Sequence, residues 1–171
     1  MRRKSSVVAY DTIFVCIASY AWVEKARLVL CGCGGGIIAW KGSNTIFPNK
    51  YGCYVAYSTR EAANSTTAAK NVGKYSLGRS WDSLHRSAYV NSTMNTTILP
   101  QGYTKWSNNP AKANYGNFTL MAEYASQGPG WDITVRAADN VTLVLNGTVV
   151  SPYSSPAHVF MTAEGRQPHV L

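Results

Sequence analysis

The chain has 171 residues, 46% of them hydrophobic and 14% charged, and its sixteen Lys and Arg against eight Asp and Glu give a net charge of +8. A chain of this size can bury roughly 70% of the surface of its unfolded form, so one compact domain is expected. The composition excludes a disordered or collagen-like chain. The sequence has no apolar run of about 20 residues that could span a bilayer. The abundance of Thr, Val, Tyr, Ser, Asn and Gly favours an all-β fold.

Short apolar runs separated by turn clusters predict the strands. Residues 1–17 resemble a signal peptide in their basic start and apolar run. Asp11 places a charge within this run, which is costly for insertion into a membrane. We therefore interpret the apolar run as a buried strand of the fold. The Ala-rich stretch 58–72 is predicted to be a loop because its centre is Asn-Ser-Thr-Thr, and no helix of more than two turns is expected. Strands are predicted at 7–17, 26–30, 36–40, 53–57, 87–90, 118–124, 132–135, 141–145 and 148–150.

The early strands are continuous apolar runs, which is typical of strands that are buried on both faces or form a solenoid wall. Cys31 and Cys53 are 22 residues apart, near the length of about 20–25 residues of one β-solenoid coil. They could form a disulfide, stack on neighbouring coils, or be unrelated buried thiols. With Cys16 and Cys33 they lack CxxC spacing, so disulfides or thiols are favoured over a metal site and the pairing stays open.

Glycosylation motifs and the pattern of charge indicate the surroundings of the protein. Six Asn-X-Ser/Thr sequons favour a secreted, extracellular glycoprotein. The basic residues are scattered and form no stripe, finger or aromatic RNA-binding motif, so no nucleic-acid partner is expected. An acidic glycan partner or a plain basic, solvated surface is favoured. The sequons begin at Asn64, Asn91, Asn95, Asn117, Asn140 and Asn146.

Three side chains are the candidates for a catalytic or binding site. Arg79 and Trp81 lie two residues apart, so in an extended segment both would point the same way, as a carboxylate clamp beside a sugar-stacking platform or as a plain cation–π pair. Asp11, among apolar residues, is either a structural or a functional carboxylate. The histidines lack metal-ligand spacing and are expected on the surface or in loops: His85, His158 and His169.

Several blocks of the chain resemble pectinesterases, and their sequence is most similar to that of fungal members. Residues 77–81, Leu-Gly-Arg-Ser-Trp, resemble the Leu-Gly-Arg-Pro-Trp signature of the family, and residues 85–106 resemble the run that follows it. Residues 121–130 are similar to its Glu-Tyr…Gly-Pro-Gly ending. Residues 11–14, Asp-Thr-Ile-Phe, resemble the Asp-Phe-Ile-Phe-Gly strand that carries the nucleophile. The blocks cover most of residues 9–130 in the right order.

The resemblance implies a right-handed parallel β-helix, monomeric if folded, that removes methyl groups from the C6 esters of pectin without a metal or cofactor. By resemblance, Asp11 is the nucleophile, Arg79 holds it ionised, and Trp81 stacks on a galacturonate ring. We expect a single domain over 1–171, with coils over about 7–100 and with loops and a C-terminal tail packed on the solenoid over 101–171.

The departures from the family concern the N-terminal side. In the family, the acid/base Asp and the oxyanion Gln residues precede the nucleophile strand, whereas ten residues precede Asp11 here. We therefore expect the C-terminal part of a pectinesterase, truncated at its N-terminal end, with activity lowered by several orders of magnitude. The alternatives are a non-catalytic pectin-binding cell-wall solenoid and a polysaccharide lyase or galacturonase, although the calcium-binding acidic cluster common in lyases is not seen.

Overall fold

The computed structural model describes residues 6–9, 14–17, 19–32, 35–105 and 118–160, the first two ranges as backbone alone. These ranges contain twelve short strands, three short α-helices and a 3-10 turn at Ser151–Tyr153. The strands are β1 Ser6–Ala9, β2 Phe14–Ile17, β3 Ala21–Glu24, β4 Arg27–Leu30, β5 Gly35–Lys41, β6 Cys53–Ala56, β7 Thr59–Ala62, β8 Tyr75–Ser80, β9 Arg86–Val90, β10 Thr93–Met94, β11 Leu120–Tyr124 and β12 Leu143–Val144. The helices are α1 Ser65–Lys70, α2 Ile133–Asp139 and α3 Pro156–Phe160.

The chain visits three sheets in rotation, and this path defines a parallel β-helix. Sheet A has the order β1-β4-β7-β10, sheet B the order β2-β5-β8, and sheet C the order β12-β11-β9-β6-β3. All of these strand pairs are parallel. Ala21 pairs with Cys53, and Cys53 with Ser87, so successive coils are 32 and 34 residues apart. The expected parallel β-helix is confirmed.

One corner of the solenoid repeats in four successive coils. The residue that follows the sheet C strand has a positive φ each time, at Lys25, Tyr57, Asn91 and Ala125. The N–H groups of the first three donate to carbonyls on the next coil, those of Ala56, Val90 and Tyr124 respectively. A single left-handed residue therefore turns the chain from sheet C to sheet A, at the cost that a side chain incurs in this conformation.

The core lies between the sheets and is mostly apolar. Leu28, Ile38 and Val55 are fully buried, as continuous apolar runs predicted. Arg60 is an exception: it is 1% exposed, and its guanidinium lies 3.8 Å from the centroid of the Tyr89 ring. Burial lowers the pKa of Arg60, and the aromatic ring partly compensates the loss of water.

Several strand predictions are confirmed, with ends that shift by one residue or two. These are the strands at 26–30, 36–40, 53–57, 87–90 and 118–124. The predicted strand at 7–17 divides into β1 and β2, which belong to different sheets. The prediction at 141–145 is confirmed for its centre alone, and 148–150 form no strand.

Two other secondary-structure predictions are wrong. The predicted loop at 58–72 contains β7 and α1, because the Asn64 side chain accepts a hydrogen bond from the N–H of Thr67 and so begins a helix. The predicted strand at 132–135 is the start of α2. The Asp132 carboxylate accepts hydrogen bonds from two N–H groups of the first turn. This cap stabilises the helix start more than the β-branched residues that follow it favour a strand.

The stack of Cys31 on Cys53 that the spacing suggested is also wrong. No disulfide joins the two cysteines, and Cys53 lies between Ala21 and Ser87 on sheet C. The coils at this level are 32 and 34 residues long, so a spacing of 22 residues does not bring two residues into register. Cys33 and the side chain of Cys16 lie outside the described residues.

Coils continue beyond residue 100, because β11 and β12 extend sheet C. The segment that follows contacts the second coil of the solenoid. The Asn49 side-chain amide donates to the carbonyls of Pro152 and His158, and the Lys50 ammonium donates to that of Val159. In the part of the chain that the structure describes, no helix is long and apolar enough to cross a membrane.

Gly130 is expected to tolerate no side chain. A Cβ atom at this position would lie 1.9 Å from the carbonyl oxygen of Asn95, which is backbone and cannot rotate away. We expect Gly130→Ala to lower the free energy of unfolding by about 1–3 kcal/mol, measured by urea denaturation. Gly147→Ala is the matched control, since its Cβ would be 3.6 Å from the nearest atom, and equal effects of the two substitutions would contradict the prediction.

Candidate functional site

Arg79 lies near the end of β8 on sheet B, and Trp81 is the first residue after this strand. Arg79 pairs with Ala39 of β5 on one side and forms an isolated parallel bridge with Thr104 on the other. A Cβ atom at Gly36 would lie 3.1 Å from the Arg79 Cγ atom, so the glycine leaves room for the arginine stem. Arg79 is half-buried, whereas Trp81 is 39% exposed. This face therefore presents a cation and an accessible aromatic ring.

Asp11 lies outside the described residues, so its contact with Arg79 stays a prediction. The residue of β2 that is in register with Arg79, through Ala39, is Val15. Two strand spacings separate β2 from β8, about 10 Å in total. Asp11 comes three residues before β2 in the chain.

His85 supports the backbone at Trp81 from inside the solenoid. Its side chain is fully buried, and Nδ1 lies 2.9 Å from the carbonyl oxygen of Trp40. The N–H of Trp81 donates to the same carbonyl, at 3.4 Å. Because a carbonyl can only accept, Nδ1 carries the proton of the neutral ring. The ends of β5 and β8 are thus joined to His85 through one oxygen atom.

The second ring nitrogen of His85 continues the buried network. Nε2 lies 2.7 Å from the Ser87 Oγ atom, which lies 2.9 Å from the Tyr103 hydroxyl. Burial lowers the pKa of His85 to about 4, and the hydrogen bond to Trp40 offsets a part of this shift. Of the two expected places for His85, the loop is right, since it lies between β8 and β9, and the surface is wrong, since the side chain is buried. His158 is exposed, as expected, and His169 lies outside the described residues.

The carboxylate that follows Trp81 has a structural role. Asp82 Oδ1 accepts hydrogen bonds from the N–H groups of Leu84 and Gly42, at 3.0 and 3.3 Å. These contacts fix the turn after β8 against the end of β5 and so orient the segment that carries Trp81. Within the ranges described, no group of three or more His, Cys, Asp or Glu side chains could hold a metal ion.

A buried ion pair supports the loop on the other side of Arg79. The Arg136 guanidinium on α2 donates to the Glu123 carboxylate on β11, and both side chains are 0% exposed. Arg136 also donates to the carbonyls of Leu99, Pro100 and Gly130. The loop held in this way leads into Thr104, the bridge partner of Arg79. Sequence reasoning noticed Glu123 within a family block but gave no indication of Arg136.

The fold and this face define a β-helical protein with an arginine–tryptophan pair on one wall. A family model with the description Pectinesterase matches residues 38–160, which is more than half of the chain. The match includes Arg79, Trp81, His85, Glu123 and Arg136. The chain therefore belongs to the pectinesterase family.

Two relatives illustrate the likeness. An Arabidopsis thaliana protein named "Putative pectinesterase/pectinesterase inhibitor 22" is 36% identical over 59 residues, which are 32% of this chain and 9% of that protein. The solved structure "Pectin methylesterase from Carrot" is 16% identical with a TM-score of 0.47, over 85% of this chain and 51% of that one. The chain thus spans about half of the length of the carrot enzyme and less of the Arabidopsis protein. The similarity to fungal members of the family stays a prediction.

Proposed function

We propose that the chain is a carboxylic ester hydrolase that acts on pectin in the cell wall, releasing methanol from the C6 methyl esters of polygalacturonate. The observation that carries the proposal is the Leu-Gly-Arg-Ser-Trp motif at residues 77–81, the first four of which end β8, within the matched residues 38–160. The half-buried Arg79 on this strand and the exposed Trp81 that follows it support the proposal. The net charge of +8 suits a polyanionic product.

The roles of the two side chains follow from the chemistry of galacturonate. Its C6 carboxyl group offers oxygen acceptors, which a guanidinium can bind with several donors in a fixed geometry. The C–H face of its ring is apolar and matches an indole, which brings a large apolar surface with little entropy to lose. Arg79 thus binds the carboxyl oxygen atoms, and Trp81 holds a neighbouring ring.

Asp11 is the nucleophile in this proposal. A carboxylate oxygen of Asp11 forms a bond to the C6 carbonyl carbon, the bond from C6 to the methoxy oxygen breaks, and the methoxy oxygen takes a proton from a solvent water molecule as methanol leaves. Water then hydrolyses the acyl-enzyme and restores the carboxylate. The Arg79 cation keeps Asp11 ionised and oriented, since a nearby positive charge favours the charged form of a carboxyl group.

A second candidate function is a non-catalytic protein that binds pectin in the wall. The observation that favours it is the structural use of two of the four aspartates. Asp82 and Asp132 accept backbone hydrogen bonds that fix a turn and a helix start. We assign no residue of this chain to protonating methanol, and binding needs Arg79 and Trp81 alone.

The proposal is tested by methanol release from highly methylated pectin, with pectin binding measured in parallel. We expect slow release by the chain, because no residue is assigned to protonating methanol. We expect a further loss of at least about a hundredfold in Asp11→Asn with binding retained, and a loss of both release and binding in Arg79→Gln. Arg27→Gln is the matched control, because Arg27 lies on sheet A in an exposed pair with Glu61. Pectin binding without methanol release would support the second candidate. A chain that neither binds pectin nor releases methanol from it would contradict both candidates.

We also propose that the protein is secreted and glycosylated. Asn64 and Asn146 are exposed together with the next two residues of their sequons. The side-chain oxygen of Asn64 accepts a hydrogen bond from the N–H of Thr67, and that of Asn146 accepts one from the N–H of Thr148. The side-chain nitrogen of each asparagine is left available for a glycan. After expression with a leader in a secreting eukaryotic host, we expect glycopeptide mass spectrometry to detect N-glycans at both asparagines. Unmodified peptides at both positions would contradict this prediction.

A further inference from the structure

A column of side chains lies along the corner between sheet C and sheet A. It consists of the positive-φ residues of four successive coils, and the strand residues just before them pair in register. Neighbouring members are therefore about 4.8 Å apart. The residue after each member is buried, and three of the four members are exposed, so the column faces outward. We name it the corner column, and its members are Lys25, Tyr57, Asn91 and Ala125.

Asn91 is the member of the corner column that can accept a covalent group. It begins the sequon Asn91-Ser92-Thr93, whose middle position holds no proline. Its φ of 47° is one that an asparagine adopts at low cost. Asn91 is half-buried, and within the described part of the chain its side chain makes no hydrogen bond. The side-chain nitrogen is therefore available for an N-glycan.

Tyr57 supplies an aromatic surface beside this nitrogen. It lies one coil before Asn91 and is 49% exposed. Lys25 lies one coil before Tyr57, and its Nζ atom is 6.0 Å from the centre of the tyrosine ring. The ammonium and a sugar on Asn91 therefore approach the ring from opposite sides. On the other side of Asn91, Ala125 has a methyl group alone and leaves room for a sugar ring.

We propose that Asn91 carries an N-glycan whose first N-acetylglucosamine packs on the ring of Tyr57. In the attachment step, the Asn91 side-chain nitrogen forms a bond to C1 of the sugar and loses a proton, and the bond from C1 to the pyrophosphate of a lipid-linked oligosaccharide donor breaks. The C–H face of the sugar is apolar and removes part of the tyrosine ring from water, so the glycan stabilises the corner. This inference rests on the proposed secretion and adds a site where the glycan takes part in the packing of the fold.

Glycopeptide mass spectrometry of the secreted protein is the first test. We expect a glycan at Asn91, with Asn64 and Asn146 as the reference positions in the same sample. If the two reference positions are modified and Asn91 is not, this inference is wrong while the proposed secretion stands. If all three asparagines are unmodified, both proposals fail.

Thermal melts of the secreted protein test the contact with Tyr57. Thr93→Val removes the sequon and keeps a β-branched side chain on β10. We expect it to lower the melting temperature by at least about 2 °C, and to have a much smaller effect in the Tyr57→Ser background. Tyr57→Phe, which keeps the ring, should preserve the full loss. After enzymatic removal of the N-glycans, Thr93→Val should have the same effect in the wild-type and Tyr57→Ser backgrounds.

The matched control removes a glycan that lies elsewhere. Thr66→Val abolishes the exposed sequon that begins at Asn64, and its effect on the melting temperature should be the same with and without Tyr57→Ser. If Thr93→Val lowers the melting temperature of the glycosylated protein equally in both backgrounds, or not at all, the packing of the glycan on Tyr57 is wrong. Neither measurement uses pectin, so the result does not depend on methanol release.

Discussion

Arg136→Met is expected to lower the free energy of unfolding by about 3–5 kcal/mol, since removal of one partner of a buried ion pair leaves an uncompensated charge. Arg136 and Glu123 are both 0% exposed. Without the guanidinium, the Glu123 carboxylate stays in the interior, and the carbonyls of Leu99, Pro100 and Gly130 lose a donor. The loop that leads to Thr104 loses its anchor at the same time.

Urea denaturation followed by tryptophan fluorescence measures this loss. Arg27→Met is the control, because the pair of Arg27 with Glu61 is largely exposed and should contribute about 0–1 kcal/mol. The double variant Glu123→Gln with Arg136→Met should recover part of the stability, since it removes both charges. A loss below about 1 kcal/mol in Arg136→Met would contradict the prediction.

Acid is expected to destabilise the protein through His85 by about 3 kcal/mol. The pKa of His85 falls from 6.5 to about 4 in the folded chain because the ring is buried. Between these two pH values the unfolded chain binds a proton that the folded chain does not, so stability is lost as the pH falls through this window and the loss is complete below about pH 4. Each tenfold change in proton affinity contributes about 1.4 kcal/mol.

The difference between the wild type and His85→Gln isolates this effect from the carboxyl groups that titrate in the same range. The free energy of unfolding is measured for both proteins at several pH values between 7 and 4. We expect the wild type to lose about 3 kcal/mol more than the variant over this interval. His158→Gln, at an exposed histidine, should follow the wild type. Parallel pH profiles of wild type and His85→Gln would show that His85 is not responsible.

The strands that the sequence predicts best are those buried on every side. β5 and β6 consist largely of apolar residues between glycine-rich or proline-containing turns, so local composition is sufficient to identify them. The coil length was not predictable in the same way. Of the corner residues Lys25, Tyr57, Asn91 and Ala125, the asparagine alone has a side chain that favours positive φ. The neighbouring coils impose this turn through backbone hydrogen bonds.

The short helices show the same limit. α1 and α2 have six and seven residues, too few for a stable isolated helix, so their apolar pattern carries little information. Their starts were readable in principle from the capping side chains of Asn64 and Asp132. Contacts made elsewhere in the fold decide that these segments are helical, as when the Arg136 side chain of α2 reaches Glu123.

For the candidate site, the sequence by itself determined the motif with Arg79 and Trp81, because these residues lie two positions apart and so face the same way in an extended segment. The tertiary structure alone decided which distant residues support them. His85 bonds to the carbonyl of Trp40, 45 residues away, and Thr104 joins Arg79 across a coil. A buried polar side chain is stable only with its partners, and the winding of the solenoid selects those partners.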